Sequence, residues 1–131
     1  MKITKASDYA LRVVGFFATA EKNRYYMRNE LSEICSVPDS FLGKILQHLV
    51  KSGILESERG KKGGFRLSKN PEDITLYDII RSVEGEIVIN ECLVEGNACK
   101  ISGNCKIHNV LDQVRCNLIN ELKKVNVSNL V

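Results

Sequence analysis

Residues 54–69 read ILESERGKKGGFRLSK, two short alternating segments around a turn that contains three glycines. Glycine permits the positive φ angles of tight hairpin turns, so we predict a β-hairpin with strands at Ile54–Glu58 and Phe65–Ser68. Its tip suits a polyanion, although a solvated turn without a partner is the alternative. The cationic residues of the tip are Arg59, Lys61 and Lys62.

A pair of helices is predicted immediately before the hairpin. RNELSEICS, residues 28–36, forms a short helix with Leu31 and Ile34 directed inward. After SVPDS a second helix begins at Pro38, a residue favoured in the first helical turn. Its buried face follows the spacing i, i+3, i+4, i+7 with Leu42, Ile45, Leu46 and Leu49.

The opposite face of this second helix is short-chained near its N-terminus and cationic beyond it, with Ser40, Gly43, Lys44, Gln47 and Lys51. Gly43 costs ~1 kcal/mol relative to alanine inside a helix, so either a partner surface approaches closely there or the residue is surface variation. A helix pair followed by a hairpin with a cationic tip is typical of a winged helix. The second helix would enter the major groove and the tip would reach phosphates or the minor groove.

The segments around this unit are predicted to complete its core. Ser7 caps a first helix over residues 8–21, in which Asp8 offsets the helix dipole. Tyr25–Met27 forms an edge strand, and Cys35 is a small core residue. A further helix follows Thr75, which with Asp78 three residues later approximates a capping box, and it ends at Gly85.

A long helix is predicted from Lys106 to about Val125. Its apolar residues advance in steps of three and four, a near-heptad pattern typical of a subunit interface. We therefore predict a homodimer. The residues of this seam are Ile107, Leu111, Val114, Leu118, Leu122 and Val125, while Cys116 is interpreted as a packing residue.

Residues 92–108, CLVEGNACKISGNCKIH, place three cysteines and one histidine within 17 positions. The spacing is C-x6-C-x5-C-x2-H, and thiolates with imidazole suit an iron–sulfur cluster or zinc. The segment has few large aliphatic residues, so an inorganic core would replace the missing apolar one. Free buried cysteines are the alternative.

Charge and composition restrict the function class. Residues 44–69 hold seven Lys or Arg against two acids, while residues 70–105 hold seven acids against two bases, within a net charge of +3. The basic part suits nucleic acid. No apolar run approaches the ~20 residues of a membrane span and no secretion signal is recognisable, so we expect a cytoplasmic protein without a membrane partner and with reduced cysteines.

These patterns predict a mainly α fold with a small β-hairpin wing. Residues 1–85 would form a winged helix-turn-helix DNA-binding domain, and residues 86–131 the cluster-binding loop and a long C-terminal dimerisation helix.

The chain resembles the IscR/NsrR/RirA family of winged-helix iron–sulfur transcription repressors. The resemblance is carried by KITKASDYALRVV (2–14), RGKKGGFRL (59–67), ITLYDIIRSVEG (74–85), the cysteine segment and the terminal VSNLV. It implies a 2Fe–2S or 4Fe–4S cluster with Cys92, Cys99 and Cys105 as ligands. The fourth ligand is either His108, as in the IscR-like branch, or Asp8 of the partner subunit, as in the NsrR-like branch.

The resemblance also implies operator contacts from the second helix of the pair and from the wing. Together with the cationic residues described above, the predicted DNA-binding residues are Pro38, Ser40, Phe41, Gly43, Lys44, Gln47, Arg59, Lys61 and Lys62.

The sequence therefore predicts a repressor whose operator affinity depends on a cluster that senses nitric oxide, oxygen or redox state, or iron–sulfur status. The main alternative is a structural zinc protein that binds nucleic acid, since three cysteines and a histidine can close a tetrahedral zinc site. A winged-helix adaptor is a further alternative. We do not expect an enzyme, because a pair such as Cys105 and His108 has no predicted oxyanion site or substrate pocket beside it.

Overall fold

The computed structural model describes residues 2–97 and 99–130. It confirms a mainly helical winged-helix fold with one two-stranded antiparallel hairpin. The elements in chain order are α1 (Lys5–Thr19), α2 (Arg28–Cys35), α3 (Asp39–Lys51), β1 (Leu55–Glu58), β2 (Gly64–Leu67), α4 (Leu76–Glu84) and α5 (Lys106–Lys124). Short 3₁₀ turns occur at Pro71–Asp73, Glu91–Leu93, Ser102–Asn104 and Val127–Leu130.

Helix α1 lies at the centre of the core and packs against α2, α3 and α4. It begins earlier than predicted, because the side chain of Thr4 accepts a hydrogen bond from the Ser7 amide at 3.2 Å and therefore caps the helix. Ser7 lies inside the helix and is fully buried. Its hydroxyl donates to the carboxylate of Glu84 at the end of α4, which joins the two helices.

The helix pair packs as predicted with one exception. Leu31 of α2 is fully buried, but Ile34 is 51% exposed, so its predicted inward position is wrong. An eight-residue helix turns only part of its surface to the core, and Leu31 occupies that part. Pro38 lies just outside α3 as its N-cap, where its carbonyl accepts from the Leu42 amide at 3.1 Å.

The hairpin pairs Leu55 with Leu67 at one end and Glu58 with Gly64 at the other. The predicted edge strand over residues 25–27 is reduced to a single bridge. There Tyr26 exchanges two backbone hydrogen bonds with Phe65, at 2.8 and 2.9 Å. This bridge ties the wing to the segment between α1 and α2.

The C-terminal residues return to the core of the winged helix. The Val127 amide donates to the Ile74 carbonyl at 2.8 Å, and the Leu76 amide donates to the Val125 carbonyl at 3.0 Å. The side chain of Val127 is fully buried in the same cluster as α1 and α3. The division into units at residues 85 and 86 stays a prediction.

Helix α5 packs on α4 and on the turn Glu91–Leu93. A different face of α5 carries exposed apolar side chains, those of Ile107, Val110, Val114 and Leu118. Leu111, Leu122 and Val125 of the predicted seam are instead half-buried on their own chain. Within the described part of the chain, no helix has the length and apolar character needed to cross a membrane.

Candidate functional site

The exposed face of α3 carries the side chains predicted to contact DNA. Ser40, Lys44 and Gln47 are exposed along it, as is Pro38 just before it. Phe41 is exposed too, and its ring packs edge-on against Tyr9 of α1 with 5.3 Å between the ring centroids. Four side chains on the opposite face are buried and fix the orientation of α3, namely Leu42, Ile45, Leu46 and Leu49.

Gly43 lies on this face, but its missing side chain is explained within the chain. A Cβ built at Gly43 would lie 2.8 Å from Nη1 of Arg28 and 3.0 Å from its Cζ. The Arg28 guanidinium reaches across from α2 and donates to both carboxylate oxygens of Asp39, at 2.7 and 2.6 Å. Neither Arg28 nor Asp39 was among the predicted site residues.

The wing tip presents its cations to solvent. Arg59, Lys61 and Lys62 are exposed, and within residues 2–97 and 99–130 none of them forms an ion pair. The strands below are held by an ion pair between Arg66 and Glu56, which are directly opposite each other. Hydrogen bonding to Glu56 raises the pKa of Arg66, and its guanidinium stacks 4.4 Å from the Tyr25 ring centroid.

The three cysteines of the predicted cluster segment lie in the connection between α4 and α5. Cys92, Cys99 and Cys105 are free thiols and half-buried. The Asn90 side-chain amide donates to the sulfur of Cys92 at 3.3 Å. Among the described residues, the Cys, His, Asp and Glu side chains form no group of three or more that could hold a metal ion.

The two candidates for the fourth ligand have different surroundings. His108 lies in the first turn of α5 and is half-buried, and its Nδ1 is the one buried side-chain nitrogen or oxygen in the described residues that lacks a hydrogen-bond partner. Asp8 is 49% exposed, and its carboxylate accepts from Arg12 at 2.9 Å. Within the described part of one chain the Asp8 carboxylate therefore has a partner, whereas Nδ1 of His108 has none.

The donor set of this segment fits an iron–sulfur cluster. Three thiols within 14 residues supply the sulfur ligands of such a group, and a buried nitrogen without a partner costs free energy unless something binds it. A ligand at His108 would satisfy that atom. The segment therefore supplies three thiols and an imidazole, and Nδ1 of that imidazole lacks a hydrogen-bond partner among the described residues.

The remaining two cysteines lie elsewhere. Cys35 at the end of α2 is half-buried against the core, where burial raises the pKa of its thiol and nearby Arg12 partly opposes this. Cys116 is half-buried on α5.

Comparisons with known proteins identify the family of the chain. Residues 3–131 match the model of the Rrf2 family, described as an iron-dependent transcriptional regulator. The chain is 33% identical over 132 residues to the HTH-type transcriptional regulator NsrR of Bacillus subtilis (strain 168), covering all of this chain and 90% of that protein. It is 32% identical over 132 residues to NsrR of Bacillus licheniformis, covering all of this chain and 92% of the relative.

Solved structures share the fold. CymR (YrzC), the global cysteine regulator of B. subtilis, superposes with a TM-score of 0.76 at 22% identity, over 99% of this chain and 95% of CymR. IscR of T. potens superposes with a TM-score of 0.75 at 20% identity, over 99% of this chain and 85% of that one. At these identities the likeness establishes the fold alone.

Proposed function

Because the chain belongs to the Rrf2 family of transcriptional regulators, we propose that it is a homodimeric repressor whose operator affinity is set by an iron–sulfur cluster in residues 92–108. The observation that supports the cluster is Nδ1 of His108, which is buried without a hydrogen-bond partner among residues 2–97 and 99–130, in the segment that also holds three half-buried thiols.

The DNA-binding part of the proposal is supported by two surfaces that expose positively charged side chains. Helix α3 turns Ser40, Lys44 and Gln47 to solvent, and the wing tip adds three exposed cations nearby in the chain. A recognition helix of this kind reads base edges in the major groove, while tip cations neutralise phosphates and release counterions. No acidic residue lies between Arg59 and Lys62 to oppose this.

The ligands of the cluster would be Cys92, Cys99 and Cys105, with His108 or the partner's Asp8 as the fourth. When bound, the cluster would supply a centre sensitive to nitric oxide, oxygen or iron supply, and ligands other than cysteine make such a centre easier to open. On the protein side, the thiols must be deprotonated to bind. Asn90 already donates to the sulfur of Cys92, and hydrogen bonds of this kind tune such centres.

The position of the segment explains how its state could reach DNA. It begins after α4, which packs on α1 and α3, and it ends at α5, which carries the exposed apolar stripe. Arg115 of α5 donates to the Ile87 carbonyl at 3.5 Å, which ties α5 to the chain between α4 and the segment. A change in the segment can therefore alter the spacing of two α3 helices in a dimer, and each tenfold change in affinity requires ~1.4 kcal/mol of differential binding.

The cluster is tested on protein purified without air. We expect brown protein with visible absorption and an iron–sulfur Mössbauer spectrum, whereas colourless protein with stoichiometric zinc would establish the alternative. Duplex affinity is then measured at one salt concentration with and without the cluster. Equal affinities would contradict the sensing role while leaving DNA binding intact.

The fourth ligand is tested with two matched variants. We expect His108→Ala to change the absorption spectrum of the loaded protein and Asp8→Ala to leave it unchanged. The reason is that Asp8 has Arg12 as a partner, whereas Nδ1 of His108 has no partner among the residues that the structure describes. An unchanged spectrum in His108→Ala, together with a lost spectrum in Asp8→Ala, would assign the role to Asp8. Circular dichroism confirms that both variants are folded.

A further inference from the structure

Arg28 is the first residue of α2, but its guanidinium lies against α3. Nε donates to Oδ1 of Asp39 at 2.7 Å, and Nη2 donates to Oδ2 at 2.6 Å. Nη2 also donates to the backbone carbonyl of Asp39 at 3.2 Å. Three hydrogen bonds therefore fix the plane of the guanidinium over the first turn of α3.

The absence of a side chain at Gly43 leaves room for this arrangement. Gly43 lies one turn after Asp39, and a Cβ there would come within 2.8 Å of Nη1 and 3.4 Å of Nη2 of Arg28. The guanidinium thus covers the part of the α3 face between Asp39 and Gly43. Lys44 and Gln47 continue the same exposed surface.

One nitrogen of the guanidinium is left for another molecule. Asp39 occupies Nε and Nη2, while Nη1 donates to no atom of the described residues. The Arg28 side chain remains 48% exposed. Hydrogen bonding to Arg28 lowers the pKa of Asp39, so the carboxylate stays ionised at neutral pH and continues to bind the Arg28 guanidinium.

We propose that Arg28 is a DNA-binding residue, which Asp39 and the open space at Gly43 position on the recognition surface. This inference rests on the proposed DNA-binding function. The first helix of a helix-turn-helix crosses the DNA backbone while the second enters the groove, and Arg28 belongs to the first helix and lies on the second. Its free Nη1 would donate to an acceptor of the duplex, either a phosphate oxygen or the N7 or O6 atom of a guanine.

The probes are a duplex that the wild-type, cluster-loaded protein selects from a random pool, and a shuffled duplex of the same composition. We expect Arg28→Ala to weaken binding of the selected duplex by roughly tenfold. Arg81→Ala is the matched control, because Arg81 is also an exposed, ion-paired arginine but lies on α4. We expect that variant to bind as the wild type does.

The two acceptors give different results. If Arg28 contacts a phosphate, Arg28→Ala weakens the binding of both duplexes and makes the dependence of log K on log[salt] less steep by about 0.9. If Arg28 contacts a guanine, Arg28→Ala weakens the binding of the selected duplex alone. Unchanged affinity of Arg28→Ala for both duplexes, while Lys44→Ala is weakened, would overturn the inference and leave the proposed function standing. A wild-type protein that selects no duplex would overturn both.

A double-mutant cycle tests how Arg28 is positioned. Gly43→Ala should displace the guanidinium without a change in charge, so it should weaken binding in the wild-type background and have little effect in Arg28→Ala. An equal loss in both backgrounds would mean that Gly43 acts on DNA directly, and it would contradict the role of Gly43 in positioning Arg28.

Discussion

Gly64 occupies a position at the base of the wing that a side chain cannot enter. Its φ is +137°, and a Cβ there would collide with the backbone carbonyl of Tyr26, the residue that bridges to Phe65. We expect Gly64→Ala to lower the free energy of unfolding by about 3 kcal/mol, measured by urea denaturation.

The control for Gly64 is Gly60→Ala. Gly60 also has a positive φ, +104°, but open space around it, so this variant loses only the ~1 kcal/mol of an unfavourable backbone conformation. Similar losses for the two variants would show that the contact with Tyr26 is unimportant.

Cys35 provides a test that depends on pH. Burial raises the pKa of its thiol, against the smaller opposing effect of Arg12, so at a given pH the folded protein has less thiolate than the unfolded chain. We expect iodoacetamide to modify Cys35 more slowly in the folded protein, as measured by peptide mass spectrometry at several pH values. A rate in the folded protein equal to that in urea would contradict this.

The same shift contributes to stability with a defined sign. Because the folded pKa is the higher one, the contribution of Cys35 is fully present below the pKa of the unfolded thiol and is lost as pH rises toward the folded pKa. Cys35→Ala should therefore reduce the loss of stability between neutral and strongly alkaline pH.

Single side chains also show where prediction from sequence succeeds. Lys44 and the wing cations were predicted from local charge and spacing, and the structure places them at the surface. The contact between Arg28 and Asp39 could not be predicted, because the two residues lie 11 positions apart on different helices and no local pattern records it. The unfavourable glycine at position 43 was the available signal, and its cause became visible only with the packing of α2 on α3.

Helix α4 was predicted well because its cap is local. The Thr75 hydroxyl accepts from the Asp78 amide at 3.1 Å, and the Asp78 carboxylate accepts from the Thr75 amide at 2.9 Å. We expect Thr75→Ala to cost about 1 kcal/mol of unfolding free energy. Thr75→Ser should keep most of it, since serine retains the accepting oxygen. Equal losses in thermal unfolding would contradict the capping role.

The C-terminal turn is an element that the sequence did not predict, because its pairing with residues 74–76 spans about 50 positions. Val127 is fully buried there. We expect Val127→Ala to lower the unfolding free energy by about 2 kcal/mol, while Ser128→Ala at the neighbouring exposed position stays within about 0.5 kcal/mol. Urea denaturation measures both, and equal stabilities would show that the turn contributes nothing to the core.

At the scale of the whole protein, the sequence predicted the winged helix. It predicted only part of the apolar face of α5 that the rest of the chain leaves exposed. Periodicity alone grouped Leu111 and Leu122 with the exposed residues, although both are half-buried against their own chain. The pattern could not separate these faces, because an apolar residue looks the same whether its neighbour is α4 or a second copy. The exposed stripe instead includes Val110.

This stripe provides the test of the dimer. Ile107, Val110, Val114 and Leu118 are all exposed on one side of α5, and a continuous apolar stripe on a helix is typical of a subunit interface. We expect the wild-type protein to have twice the chain mass of 14.7 kDa in light scattering at micromolar concentration. Val114→Glu should convert it to the monomer, because a carboxylate in an apolar interface has no partner there.

Gln113→Glu is the matched control, since it adds the same charge at the neighbouring position of α5, where Gln113 is exposed and bonded to Asn117. We expect this variant to remain a dimer. Since two reading helices on one duplex must be held about 34 Å apart, Val114→Glu should also lose most of its affinity for the selected duplex, whereas Gln113→Glu should keep it. Dimeric Val114→Glu protein with full affinity would place the subunit interface elsewhere on the molecule.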